Sequence, residues 1–333
     1  MKKNKVLITF LLIILLTLTG CTTQLKDAKG KVVRNEETGQ VLTSNLLCAP
    51  KDEKVLQMYR DNQASLLKKY EKELKDGDIG RKEFDKKKEN ILDVDKLVAC
   101  KNFKLSSGGY DGIWTTIFVK PLVWLLIQIG EFVGNYAVAI LLVTIIIRLV
   151  MYPITLKTAK QSENLKKAKP ELEKIEKKYS GKKDQESTMK KSQEMMMVYK
   201  KHDINPLSGC LFGFIQIPLF FAFYESLFRL PVLLEDSLLG FNMALSPMKG
   251  ANAGNWLYLI LPVLVFAATY FAFKLNSAMS MGGAQEKQMK IMMNVMMVMI
   301  FVMSFQMSTG IIFYWITNNA FTIMQNLIVK RSK

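Results

Sequence analysis

A chain of 333 residues can hold more than one compact unit, and half of it is hydrophobic, a balance that points to membrane rather than to a soluble domain. Lys and Arg number 46 against 29 Asp and Glu, a formal net charge of +17, which in a soluble protein would suggest nucleic acid. Here the basic residues stand in blocks between apolar runs and no aromatic-rich basic module accompanies them. Positive-inside topology accounts for them instead, and no specific nucleic acid sequence is expected as a partner.

The chain opens with Lys2, Lys3 and Lys5, an apolar run from Val6 to Leu16, and then Leu18-Thr19-Gly20-Cys21. That is a signal-peptide layout over residues 1–20, ending in a bacterial lipobox, which implies that Cys21 is lipidated and becomes the mature N-terminus outside. A short uncleaved anchor over residues 6–20 is the alternative. Residues 22–50 are polar and turn-rich and read as a tether. From Val55 onward, Leu56, Tyr59, Gln63, Leu67, Tyr70 and Leu74 recur at helical spacing. Gly77-Asp78-Ile79-Gly80 breaks the pattern, and Phe84, Ile91, Val94 and Val98 suggest a second helix. The expectation for residues 21–112 is an extracellular tether and charged helical hairpin. So small a unit needs a staple, and Cys48 with Cys100, both outside where disulfides persist, would close its base. Cys210, at the start of a later apolar span, reads as a small buried residue.

Residues 113–133 are apolar enough to span or to lie in the interface. Parity decides: with Cys21 outside, a span here would put the basic block after Lys157 outside as well, against the positive-inside rule. Lys120-Pro121 in mid-segment also weakens a span, so the segment is read as an outer interfacial helix. Residues 134–156 follow, with the apolar run Ala137 to Ile147 interrupted by Arg148; about 20 apolar residues suffice to cross a bilayer. Arg148 lies about 13 Å along the helix from Lys157, too deep for a flanking anchor. An arginine at that depth is costly and marks a functional site facing a polar cavity; the bland alternative is a snorkelling side chain.

Residues 157–203 hold fourteen lysines against eight acids, a net of +6. Leu165, Ala168, Leu172, Ile175 and Tyr179 keep helical spacing, Ser180 to Asp184 signals a turn, and Met189, Met196 and Tyr199 resume a helical face. This predicts a cytoplasmic antiparallel hairpin, either a solvated helix pair or an arm that meets incoming chains, headgroups or the ribosome. Further spans are predicted at 207–229, 255–275, 290–307 and 309–328. The 230–254 loop is poor in bases, while Lys287, Lys290, Lys330, Arg331 and Lys333 lie at inner ends. The fold class is therefore an all-α integral membrane protein, with five transmembrane helices, a cytoplasmic helical hairpin and an outer interfacial helix, its N-terminus outside and its C-terminus cytoplasmic.

The sole histidine, His202, stands at a helix end and suits capping. No His/Cys cluster fits a metal, no P-loop fits a nucleotide and no G-x-S-x-G elbow is present, so neither enzyme chemistry nor a cofactor is expected. Polar residues inside spans carry the information, because in lipid they turn toward the bundle interior. Tyr314, Asn318, Thr322 and Gln325 share one helix face, with Trp315 and Asn319 alongside. Gln216 lies in another span, and Thr144 stands one turn before Arg148. These groups are expected either to line a wet cavity around Arg148 or to act as interhelical glue. The methionines at 195–197 and from Met289 to Met303 offer adaptable apolar surface or lipid-facing filler.

The run from Tyr199 to Tyr224 (YKKHDINPLSGCLFGFIQIPLFFAFY), Ile147-Arg148-Leu149 with Pro153, the charged hairpin, and Gly310 to Asn319 with Gln325 together resemble the YidC membrane-protein insertases. The likeness covers about residues 112–330, and the lipobox with five mature spans resembles the Gram-positive, SpoIIIJ-like lipoprotein branch. The resemblance implies a monomer-sized hydrophilic groove open to cytoplasm and lipid. Arg148 matches its arginine, and Gln216, Tyr314, Trp315 and Asn318 match positions near it. It implies nascent membrane proteins as substrates, with the Sec translocon and the ribosome as candidate partners and no bond hydrolysed. Two positions depart from the family pattern: Ala272-Phe273 precede Lys274 where glutamine is frequent, and Ser308 stands where proline is frequent before the last helix. A small-solute or ion transporter would also use an intramembrane arginine, but it should show internal repeats, and none is evident.

Overall fold

The computed structural model describes residues 23–182, 184–205, 208–275 and 284–331; the signal peptide and Cys21 lie outside the described residues, as does the side chain of Cys210. Regular structure is almost entirely helical. In chain order the helices of nine residues or more among the described residues are α1 (Glu53–Asp76) and α2 (Arg81–Glu89), α3 (Gly112–Val133), α4 (Tyr136–Lys178) and α5 (Gln185–Lys201). They continue with α6 (Ser208–Arg229), α7 (Trp256–Leu275), α8 (Ala284–Ser304) and α9 (Thr309–Arg331). Among the described residues, α3, α4 and α7 are long and apolar enough to cross a membrane. The predicted first span and the first arm of the hairpin are one 43-residue helix, which runs on through Pro153 and Pro170.

The chain forms two compact units. The first comprises Met1–Val143, Pro218–Asn255 and Ser308–Ile311. Its described N-terminal residues, read above as a tether, are folded: antiparallel bridges join Gln24 to Thr43, Lys26 to Val32 and Arg34 to Val41. The reason is burial. Leu25, Leu42 and Leu46 pack on Val55, Tyr59 and Val94 in one core, and the buried Tyr59 hydroxyl donates to the carbonyl of Thr43 at 2.9 Å. Helix α1 starts where the Asp52 carboxylate accepts from the N–H groups of Lys54 and Val55, and it stops at Gly77 with φ +79, a left-handed cap that glycine adopts without steric cost. Cys48 and Cys100 are bonded, with their Cα atoms 4.9 Å apart. Of the predicted second-helix residues, Phe84 and Val94 are buried, whereas Val98 is exposed.

Arg229, at the end of α6, ties three parts of this unit together. Its Nη1 donates to Glu225 at 2.9 Å and to Thr115 at 3.2 Å, its Nε to the carbonyl of Asn45 at 2.7 Å, and its Nη2 to Asp111. Trp114 Nε1 donates to the other Glu225 oxygen at 2.9 Å, so a carboxylate and a guanidinium that are both buried satisfy each other within a hydrogen-bonded set. Helix α3 buries Leu122, Val123, Leu126 and Ile127 while Ile113, Ile117, Phe118 and Phe132 stay exposed. Lys120 is buried too; its ammonium donates to the carbonyls of Ser107 (2.7 Å) and Gly109.

The second unit comprises Thr144–Ile217, Trp256–Met307 and Ile312–Lys333. In it the C-terminal half of α4 and α5 form the predicted hairpin, closed by Leu165, Ala168 and Leu172 against Val198, Tyr199 and Ile204, with Ile175 and Met195 at the margin. The α5 register differs from the prediction: Met189 and Met196 are exposed, and Met195 and Val198 take the inner face because they flank Tyr199 on its buried side. His202 caps α5, and its Nε2 lies 2.9 Å from Glu171, which also accepts from Lys201. The hydrogen bonds from Lys201 and His202 hold the Glu171 carboxyl below its usual range, the Lys201 bond contributing most.

Candidate functional site

Helix α4 places Thr144, Arg148 and Thr155 at spacings of four and seven, one face of a helix, and all three are buried. Helix α9 presents Asn318, Thr322 and Gln325 at spacings of four and three, also buried. These faces meet as rungs. Arg148 Nε donates to Asn318 Oδ1 at 2.6 Å, and Gln325 Nε2 donates to Thr155 Oγ1 at 2.9 Å. The second rung lies seven residues beyond the first on both helices, so α4 and α9 run side by side in the same direction.

Helix α6 supplies a further partner, Gln216, whose Oε1 accepts from Arg148 Nη2 at 2.8 Å. Tyr314, one turn before Asn318, is buried as well. Arg148 is 3 % exposed, and its guanidinium is held in a fork by two amide oxygens from two other helices. Amide oxygens orient a guanidinium, and an arginine–carboxylate pair is the stronger bond. Among the described residues, Arg148 thus joins α4, α6 and α9 in one polar cluster.

The other predicted residues divide. Thr322 donates back to the carbonyl of Asn318 at 3.0 Å, within its own helix. Trp315 Nε1 donates to Thr269 Oγ1 at 3.1 Å, and Asn319 Nδ2 reaches the same oxygen at 3.2 Å. The indole thus belongs to a second polar contact, between α9 and α7. Thr269 and Thr155 were not singled out by the sequence reading. Their signals were a lone threonine within the apolar run of α7, and a hydroxyl seven residues beyond Arg148 on the same face.

A family model described as "60Kd inner membrane protein" matches residues 128–333. The chain is 36% identical over 226 residues to "Membrane protein insertase YidC" of Oceanobacillus iheyensis, covering 66% of this chain and 85% of that one. It is 35% identical over 239 residues to a protein of the same name from Alkalihalophilus pseudofirmus, 71% and 89% of the two chains. It is also 34% identical over 219 residues to "Membrane protein insertase MisCA" of Bacillus subtilis, 65% and 79%. The match to the family model begins at residue 128, so the described residues 23–127 of the first unit stand outside it.

Proposed function

The chain belongs to the 60Kd inner membrane protein family and is a membrane protein insertase, not an enzyme; from that premise we propose that the Arg148 cluster is where the polar part of an incoming chain is received. The carrying observation is the fork on Arg148, with Asn318 at 2.6 Å and Gln216 at 2.8 Å. A substrate carboxylate entering from the cytoplasmic side exchanges with these amides, because it offers the guanidinium a charged, bidentate partner. The cluster opens into a hydrated groove as the amides are released, and the polar stretch then has only the outer part of the bilayer left to cross. The adjacent apolar segment passes into lipid, and its burial supplies the driving force.

The same contacts support a topology. Because α4 and α9 run in the same direction, their basic ends, Lys157 onward and Lys330-Arg331, lie on one side, which the positive-inside rule assigns to the cytoplasm. Five spans within 134–156, 207–229, 255–275, 290–307 and 309–328 satisfy that arrangement, with the lipidated Cys21 outside. Helix α3 is long enough to cross, yet Lys120, eight residues in, is bonded to the loop carbonyls of Ser107 and Gly109. Irregular backbone is not tolerated in lipid at such a depth, which supports an interfacial position. The hairpin of α4 and α5, rich in lysine, faces the cytoplasm, where the Sec translocon and the ribosome work.

The test is reconstitution of the purified protein in liposomes, with a short single-span substrate bearing an acidic N-terminal tail. Protease protection of the tail should rise well above that in empty liposomes; equal protection in both would overturn the proposal.

A further inference from the structure

After α6 the outer loop folds into a small hairpin. Ser237–Leu238 pairs antiparallel with Phe241–Asn242, Ser237 opposite Asn242 and Leu238 opposite Phe241. The two residues at its tip, Leu239 (φ +53) and Gly240 (φ +82), are both left-handed, the pattern of a type I′ turn, whose first place suits Asn, Asp or Gly. Leucine is a poor choice there on two counts: its branched side chain is strained at positive φ, and it is 82 % exposed. Neither the turn nor local packing accounts for it, so its use must lie in what it meets.

The position of the tip is fixed by the start of α4. The Tyr136 N–H donates to Asp236 Oδ2 at 2.5 Å, and Asn135 Nδ2 donates to the Ser237 carbonyl at 3.1 Å. Immediately before Asn135, α3 ends in Phe132, 90 % exposed, and Val133. Three large apolar side chains are thus exposed within a few residues of the outer end of the first span. A polar cluster stands beside them: Lys51 lies 3.6 Å from Glu131 and 5.0 Å from the Tyr136 ring centre. Farther along, α4 exposes Leu142, Ile145, Ile146, Leu149 and Val150, the apolar surface that a span shows to lipid.

We propose that Leu239, with Phe132 and Val133, forms an apolar crest that enters the outer leaflet and seats the outer loop on the bilayer. The occupant is lipid because the crest is anchored to the first residues of a span, at the depth where acyl chains begin, with charged groups beside it at headgroup level. This rests on α4 being a span with its N-terminal end outside. An apolar side chain in the interface then offsets the strain of its turn, as an exposed one in water does not.

The experiment uses the full chain in phospholipid vesicles whose acyl chains are brominated near the headgroup. Leu239→Trp and, at an unstrained position, Phe132→Trp each add one indole to the four native ones, and the emission gained over the unsubstituted protein is followed. The brominated lipid should quench the added emission of both well below its level in unbrominated lipid, since a side chain seated in the interface lies at the headgroup/acyl boundary. Lys68→Trp on α1 should escape quenching. Leu142→Trp reports the span itself: if it is not quenched, the topology has failed rather than the crest. Quenching at Leu142→Trp but at neither Leu239→Trp nor Phe132→Trp overturns the proposal. So does an added emission that shifts to the blue only as protein concentration rises, since that assigns the crest to a second copy.

Discussion

Replacing Arg148 separates the charge of the guanidinium from its role as a strut. Arg148→Ala leaves Asn318 Oδ1 and Gln216 Oε1, at 2.6 and 2.8 Å from the guanidinium, to find new donors, a cost of about 1–3 kcal/mol for the buried Asn318 acceptor and less for the half-buried Gln216. That penalty falls on every substrate alike. The charge term does not. A substrate carboxylate about 4 Å from the guanidinium gains roughly 4 kcal/mol at an effective dielectric of about 20, equivalent to between a hundredfold and about a thousandfold in occupancy. Arg148→Lys keeps the charge and loses the fork, about 1.5–3 kcal/mol for one charged hydrogen bond. Two single-span substrates that differ only in an acidic or a neutral tail resolve these terms in liposomes. Arg148→Ala should depress insertion of the acidic-tailed substrate by at least about a hundredfold more than that of the neutral one. Arg148→Lys should restore most of the difference. Equal loss for both substrates, or wild-type insertion of the acidic one by the alanine variant, would refute a charge-based mechanism.

Arg229→Met leaves Glu225 buried without its guanidinium and should cost about 3–5 kcal/mol, read as a lower thermal midpoint with faster proteolysis of residues 51–104. The double change with Glu225→Leu should recover much of that loss, and a double variant no better than the single one would show that the pair is not the cause. At Gly130 an added Cβ would lie 2.3 Å from Tyr136 Cδ1, so Gly130→Ala should destabilise by about 1–3 kcal/mol through overpacking. Tyr136→Ala in the same molecule should relieve the clash, giving non-additive thermal midpoints. Glu235 titrates above its usual range because burial outweighs the N–H groups of Lys51 and Asp52 that it accepts from. A carboxyl raised in the folded state contributes stability below its unfolded value, and that contribution is lost as pH rises through the folded value. The wild type should therefore lose stability relative to Glu235→Gln as pH rises from about 4.5; parallel pH profiles would count against the burial argument.

How much of this was legible in the sequence depends on whether a single helix or a pair of helices holds the answer. The periodicity of α9 assigned Asn318, Thr322 and Gln325 to one face without any knowledge of a neighbour, and Arg148 announced itself by its depth in an apolar run. What periodicity cannot supply is the offset between helices. Trp315 lies one residue from Tyr314, about 100° around the helix, and that rotation carries its indole away from Arg148 to Thr269. The same limit explains α5. In Met195-Met196-Met197 every register offers an apolar face, so only contact with Leu165, Ala168 and Leu172 selects Met195 and Val198. Residues 24–46 were hidden for another reason: their bridges are isolated pairs and their buried leucines too few to make a period, so the fold there depends on α1 being present.

The two rungs between α4 and α9 bear on function more than either residue set alone. A polar contact that repeats every seven residues on two parallel helices can be shared out between amides and hydroxyls without leaving a buried group unmatched. It can also be opened one rung at a time. Releasing Asn318 and Gln216 from Arg148 leaves Gln325 on Thr155 in place, so the proposed admission of a chain at the guanidinium would let the helices stay registered below it. Direct hydrophobic packing at this level would hold the helices together as well, but it would present no charge to an acidic tail. It would also cost its whole contact area to open. In the mechanism proposed above, hydrogen bonds between neutral amides and a cation are the cheaper closure, since an incoming carboxylate would replace them with a stronger one.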